Sequence, residues 1–114
     1  DAIIVTKSTV PVGTGAKLRA ILANARPKLK FHIVSNPEFL RQGYAVHDFL
    51  HPDRLIVGVE SDTAREFMQK LYLPLCVQHS PGARHVLFTD IQTAELIKYA
   101  ANAFLATKIS FINE

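Results

Sequence analysis

The sequence predicts an α/β fold built on a mostly parallel sheet, and three observations carry that prediction. Short apolar, β-branched runs recur at residues 3–6, 31–34, 54–59 and 85–89. Stretches with apolar residues at helical spacing separate them, and strands alternating with helices pair in parallel through crossover connections. Glycine and proline fall between these runs, as turns require.

Each element has its own reason. Ile3-Ile4-Val5-Thr6 is uniformly apolar rather than alternating, which suits a strand covered on both faces. Pro11, Gly13 and Gly15 punctuate the loop after it, and Thr14 is the expected cap of a helix carrying Leu18, Ile21, Leu22 and Ala25 before Pro27. Phe31 to Val34 forms the second strand. Pro37 then pushes Asn36 away from helical angles, so Glu38 to Gly43 lie on a loop or short helix at a strand's end. Beyond the mixed stretch from His47 to Pro52, Arg54 to Val59 forms the third strand. Ser61 or Asp62 caps the next helix, through Phe67, Met68 and Leu71, and that helix should end before Pro74. The fourth strand is expected over His85 to Thr89, and Thr89 with Gln92 reads as a capping box opening a long helix from about Ile91. Ile97, Ala101, Phe104, Leu105, Ile109 and Ile112 give that helix a broad apolar face, more than so small a domain can cover.

Composition narrows the function classes. An apolar content of 48% over 114 residues is enough for a core without disulfide or metal staples. The net charge of +3 is scattered and forms no dense basic stripe, so a nucleic-acid partner is not expected. Cys76 is the single cysteine, which excludes an intramolecular disulfide and favours a reducing cytoplasm. Flanked by Leu75 and Val77, it reads as a packed, inert thiol. No apolar run reaches membrane-spanning length, and no basic region followed by an apolar one marks a secretory leader. The chain enters a strand pattern at once and stops within a helical one, so it reads as an internal piece of a longer protein.

Three segments have the residue types of a reaction site. Lys7-Ser8-Thr9-Val10-Pro11-Val12-Gly13-Thr14 offers hydroxyls and backbone amides just before a helix start, a place to meet phosphate, ribose or amide groups. The same hydroxyls could equally satisfy local backbone. In Asn36-Pro37-Glu38-Phe39-Leu40-Arg41-Gln42-Gly43, proline locks the approach to Glu38 and glycine frees the exit. A partly desolvated carboxylate there can act as a general base; the alternative is a surface glutamate in a tight turn. Glu95, Lys98 and Asn102 stand at i, i+3 and i+7 on one helix face, where Lys98 and Asn102 could hold an anionic oxygen and a hydroxyl together. Otherwise they form a solvated stripe with a Glu95–Lys98 ion pair. His47 and His51 would share a helix face, but Pro52 and the lack of a third ligand at a recognisable spacing leave no metal site expected. No Gly-x-Gly-x-x-Gly fingerprint occurs.

Lys7 to Thr14, Asn36 to Gly43, Pro52-Asp53-Arg54 and Ala94 to Phe104, in this order and with these gaps, resemble the UDP-glucose/GDP-mannose dehydrogenase family. Within it they are most similar to the bacterial enzymes that oxidise UDP-glucose. The resemblance covers nearly the whole chain. It implies that residues 1–90 are the C-terminal half of a Rossmann-like NAD-binding domain and residues 91–114 the start of a long central helix that builds a homodimer. The glycine fingerprint would then lie upstream and the catalytic cysteine downstream. Cys76 does not match that cysteine's motif, and the 114 residues alone are expected to be inactive.

The implied reaction uses NAD and two successive hydride transfers, taking the C6 alcohol of UDP-glucose through an aldehyde and a cysteine-bound thioester to the carboxylate. GDP-mannose and UDP-N-acetylmannosamine are the alternative substrates, and a non-catalytic nucleotide- or partner-binding α/β module is the alternative outside the enzyme class. By the resemblance, Thr9 lies near the nicotinamide with Ser8 and Val10 beside it. Glu38 is the acid/base acting on the hydrolytic water, and Phe39, Leu40 and Arg41 belong to the substrate loop. Lys98 and Asn102 contact substrate and stabilise developing oxyanion charge. Gln42 stands where the family often has glutamate, on the cofactor side, and keeps a hydrogen-bonding group while losing a charge.

Overall fold

The structure, a computed structural model, describes residues 1–52, 54–78 and 86–113. In chain order they form β1 (Ala2–Thr6), α1 (Thr14–Ala25), β2 (Phe31–Ser35), α2 (Ala45–Leu50), β3 (Leu55–Val59), α3 (Asp62–Gln78), β4 (Val86–Thr89) and α4 (Ile91–Asn113).

The strands lie side by side in the order β1-β2-β3-β4. β1 and β2 pair in parallel from Ala2↔Phe31 to Thr6↔Ser35. β3 and β4 pair in parallel from Leu55↔Val86 to Gly58↔Thr89. The two pairs join antiparallel at Val34↔Val59 and Ser35↔Gly58. The sheet is therefore mostly parallel, as expected, with one reversal at its centre. That reversal matters for function: the carboxyl ends of β1 and β2 emerge beside the amino end of β3.

Period-two alternation sorts the strand residues between two layers. Val34 and Val57 point to one face, where they form a buried cluster with Ala64, Met68 and Tyr72 of α3, flanked by Ile3, Val5, Leu55, Leu75 and Phe88. Ile33 and Gly58 point to the other face, towards α1 and α4. A Cβ at Gly58 would lie 2.8 Å from the Ala94 side chain and equally close to the backbone of Asp90 and Ile91. Only glycine lets α4 rest on the sheet here.

Several sequence expectations need correction. β1 is not fully buried: it lies at the edge of the described sheet, and all five of its residues are half-buried. α3 does not stop before Pro74 but runs through it to Gln78. The missing N–H and ring clash of a mid-helix proline oppose this, yet buried Tyr72 and half-buried Leu75 on the core side hold the segment helical across it. Thr14 is the first helical residue rather than the cap; Gly13 occupies that position in a left-handed conformation, φ 98°. The Thr14 hydroxyl instead donates to the Pro11 carbonyl at 2.7 Å. Ser61 does cap α3, its Oγ accepting from the Ala64 amide at 3.2 Å. α4 is capped by Asp90 and not by a Thr89–Gln92 box: Asp90 Oδ1 accepts the Thr93 amide at 2.7 Å and Oδ2 the Thr93 hydroxyl at 2.8 Å. The fourth strand begins at Val86, and His85 lies outside the described residues.

Candidate active site

The edge where β1 and β2 end carries the loops Lys7–Gly13 and Asn36–Tyr44, and a buried polar knot ties them together. Asn36 is 1% exposed. Its Oδ1 accepts Lys7 Nζ at 3.0 Å and the Tyr72 hydroxyl, and its Nδ2 donates to the Ile56 carbonyl at 3.0 Å. Lys7 Nζ also donates to the Tyr72 hydroxyl at 3.1 Å. Buried polar atoms held this fully make the two loop roots rigid.

Beyond that knot a cavity of about 290 Å³ opens between the loop after β2, α2 and the start of β3, with Lys7, Glu38, Phe39, Arg41, His51 and Arg54 among its lining residues. Glu38 is half-buried, and its carboxylate accepts the Leu40 amide at 2.6 Å. Arg41 is tied down by Asp48 of α2: its Nε and Nη2 donate to the two carboxylate oxygens at 2.9 and 2.8 Å, and its amide donates at 2.9 Å. Those bonds, the guanidinium's before the backbone's, hold the Asp48 carboxyl far below the usual carboxylate range. The charged pair thus pins the loop's outer limb.

α4 supplies the third side of the site. Glu95 and Lys98 are 2% and 9% exposed, so they are not a solvated stripe. Nor do they form the ion pair that their spacing allowed. Glu95 reaches away to α1, its Oε2 accepting the Gly15 amide at 2.9 Å and its Oε1 the Gly13 amide at 3.2 Å. Of the amides at the entry to α1, which looked free to meet a phosphate, those of Gly13 and Gly15 are thereby occupied. The Lys98 ammonium sits 4.9 Å from the centre of the Phe39 ring, and the Arg54 guanidinium 5.0 Å from it. Among the described residues Lys98 makes no salt bridge. A buried cation without a carboxylate partner is primed for an anionic oxygen. One turn further along, Asn102 Nδ2 donates to Thr9 Oγ1 at 3.4 Å across a separation of 93 residues.

The structure therefore gathers Thr9, Glu38, Phe39, Leu40, Arg41, Lys98 and Asn102 around one edge of the sheet. It leaves three expected residues outside this web. Ser8 is exposed and Val10 half-buried on the β1 loop, and Gln42 is exposed on the turn before Gly43. Among the described residues no side-chain hydrogen bond joins Ser8 or Gln42 to the others. Sequence reasoning missed Asn36, Tyr72 and Asp48 as organisers of the site, and it misjudged Glu95. Their signals were slight, because each acts through a partner distant in sequence. α2 was also missed, though Ala45, Val46, Phe49 and Leu50 are spaced for one short turn of helix. His47 and His51 do stack, ring centres 4.4 Å apart. Among the described residues no three side chains could hold a metal ion. Cys76 is half-buried, and no described helix is long and apolar enough to cross a membrane.

An α/β sheet with polar loops at the carboxyl ends of a parallel pair is the arrangement in which Rossmann-type folds hold their ligands. The chain belongs to the UDP-glucose/GDP-mannose dehydrogenase family: residues 1–76 match its NAD binding domain and residues 92–114 its central domain. It is 52% identical to a UDP-glucose 6-dehydrogenase of Rhizobium meliloti over 98% of this chain and 25% of the relative. It is likewise 52% identical to one of Rickettsia felis, over 100% of this chain and 24% of the relative. The chain thus spans about a quarter of the length of the curated relatives it matches. Among solved structures it is similar to a UDP-glucose dehydrogenase of Pyrobaculum islandicum, with a TM-score of 0.83 and 40% identity over 96% of this chain and 24% of the other. A ternary complex of GDP-mannose dehydrogenase from Pseudomonas aeruginosa gives 0.85 at 25% identity, over 99% and 26%.

Proposed function

We propose that the chain supplies one wall of the active site of an NAD-dependent dehydrogenase that oxidises the C6 alcohol of UDP-glucose to the carboxylate. The observation that carries this reading is the meeting of Thr9 and Asn102 at 3.4 Å, with Lys98 buried one turn before Asn102. A parallel-strand loop and a helix from the far end of the chain converge where a cofactor and a substrate oxygen would have to meet. The 52% identity to UDP-glucose 6-dehydrogenases, against 25% to a GDP-mannose enzyme, favours UDP-glucose over the other nucleotide sugars.

The roles follow from chemistry and position. Lys98 and Asn102 donate to the substrate oxygen as it gains negative charge, Lys98 from a buried position and Asn102 from the exposed turn beside Thr9. Glu38, in the cavity wall, takes or gives a proton on the water that hydrolyses the acyl intermediate. Phe39, Leu40 and Arg41 shape the substrate side, with Arg41 held in place by Asp48. Ser8, Thr9, Val10 and Gln42 face the cofactor. The exposed hydroxyls of Ser8 and Thr9 at a strand's carboxyl end fit NAD. When bound, NAD supplies the hydride acceptor. Residues 1–90 serve as the C-terminal half of the NAD-binding domain and residues 91–114 as the start of the central helix. That helix pairs two subunits in a cytoplasmic homodimer, a reading supported by its exposed apolar face.

The test is turnover by the full-length protein given NAD and UDP-glucose, GDP-mannose or UDP-N-acetylmannosamine, followed by absorbance of reduced cofactor. Two reduced cofactors per UDP-glucose are expected, with the other sugars poor. Silence with UDP-glucose, or preference for GDP-mannose, overturns the assignment. The 114 residues alone should show no steady turnover.

A further inference from the structure

We propose that Glu95 is a positioning residue for this reaction: a buried clamp that sets the Thr9 loop against the Lys98–Asn102 pair. The proposal rests on the dehydrogenase reading above. Its starting point is the entry to α1, whose first amides lack intrahelical acceptors and whose preceding Gly13 brings no capping side chain. Those donors are met from 80 residues away, by the Glu95 carboxylate on the Gly15 amide at 2.9 Å and on the Gly13 amide at 3.2 Å. A carboxylate only 2% exposed is stable there because two donors and the positive end of the α1 dipole receive it. Gly15 makes the approach possible, since a Cβ would come within 2.6 Å of Ile91 Cγ2.

The clamp joins two parts that must stay in register. α1 and the loop bearing Thr9 are continuous, and Glu95 shares a rigid helix with Lys98 and Asn102, one and two turns further on. The Thr9–Asn102 bond alone, at 3.4 Å and exposed, is too long to hold that spacing. Hydride transfer depends steeply on distance, so a small shift between cofactor loop and oxyanion donors slows chemistry without preventing either ligand from binding.

The experiment uses the full-length enzyme and Glu95→Gln, which keeps size but turns one acceptor into a donor facing a backbone N–H. Turnover should fall about 100-fold, with both KM values changed less than about threefold. The primary isotope effect on kcat with UDP-glucose deuterated at C6 should rise, as hydride transfer becomes limiting. Unchanged kcat, or a loss without a rise in the isotope effect, overturns the proposal. Amide hydrogen exchange on the wild-type protein decides the case if the variant does not fold: Gly13 and Gly15 should exchange slowly, and rapid exchange removes the clamp. An inactive wild type would sink the dehydrogenase reading, while the exchange measurement would still judge the clamp.

Discussion

Between Ile91 and Lys98, α4 buries Ile91, Ala94, Glu95 and Lys98, whereas further along the same helix Phe104, Leu105, Ile109, Phe111 and Ile112 are all more than half exposed. The first half meets small residues: Gly15 and Gly58 bring α1 and the sheet so near that a methyl group would collide with α4. Such closeness excludes water and lets two ionisable side chains lie in the interior. Past Asn102, which still reaches Thr9, the second half carries large apolar side chains outward. One helix thus has two unlike parts, the first packed against the candidate site and the second presenting an apolar surface. Periodicity cannot separate them, because both halves repeat at helical spacing.

The strongest way to break this comparison is to remove the chemistry from the first half. In the full-length enzyme Lys98→Ala should cut turnover by roughly 100- to 1,000-fold, a loss of about 3 kcal/mol of transition-state stabilisation. The change in KM should be modest, because an oxyanion donor acts mainly after binding. Steady-state kinetics decide it, and an unaltered turnover number removes Lys98 from the site.

The second half should reveal itself by association. Exposed contiguous apolar surface drives pairing, and a two-fold arrangement is its simplest closed form. Sedimentation of the chain across a concentration series should show a dimer, and joint replacement of Phe104 and Ile112 by lysine should return it to monomer. A clean monomer that binds no apolar dye would mean that the helix is covered in another way, and the proposed pairing would have to go.

Much of the scaffold was legible in sequence because it depends on local pattern. The apolar runs placed all four strands within a residue or so, and the break at Pro37 placed the Glu38 loop. Lys98 and Asn102 stood out by their spacing. What stayed hidden depended on tertiary packing. Pro74 reads as a stop, but the core contacts of Tyr72 and Leu75 carry α3 through it. Glu95 reads as the partner of Lys98, one turn away, and nothing local indicates that its acceptors are wanted by Gly13 and Gly15. Asn36 and Tyr72 are two ordinary residues until the strands bring them to Lys7.

The smallest effect belongs to the junction where α4 begins. Asp90 accepts both the amide and the hydroxyl of Thr93, and these bonds, the backbone one foremost, lower its carboxyl below the usual value. A carboxylate with a lowered folded pKa adds stability above its unfolded pKa, near 3.9, and loses it as pH falls through the folded value, because the unfolded chain takes up the proton first. Asp90→Asn keeps a capping oxygen but removes the titration and the charge that suits a helix N-terminus. At neutral pH the wild type should therefore melt slightly above the variant, and the gap should close as pH drops below about 4. Thermal unfolding from neutral to acid pH measures it, and a gap constant across that range would mean that the ionised cap contributes nothing. Dimerisation should be unchanged by this substitution, since the cap secures the buried half of α4 and the proposed pairing surface, from Phe104 on, begins about four turns beyond it.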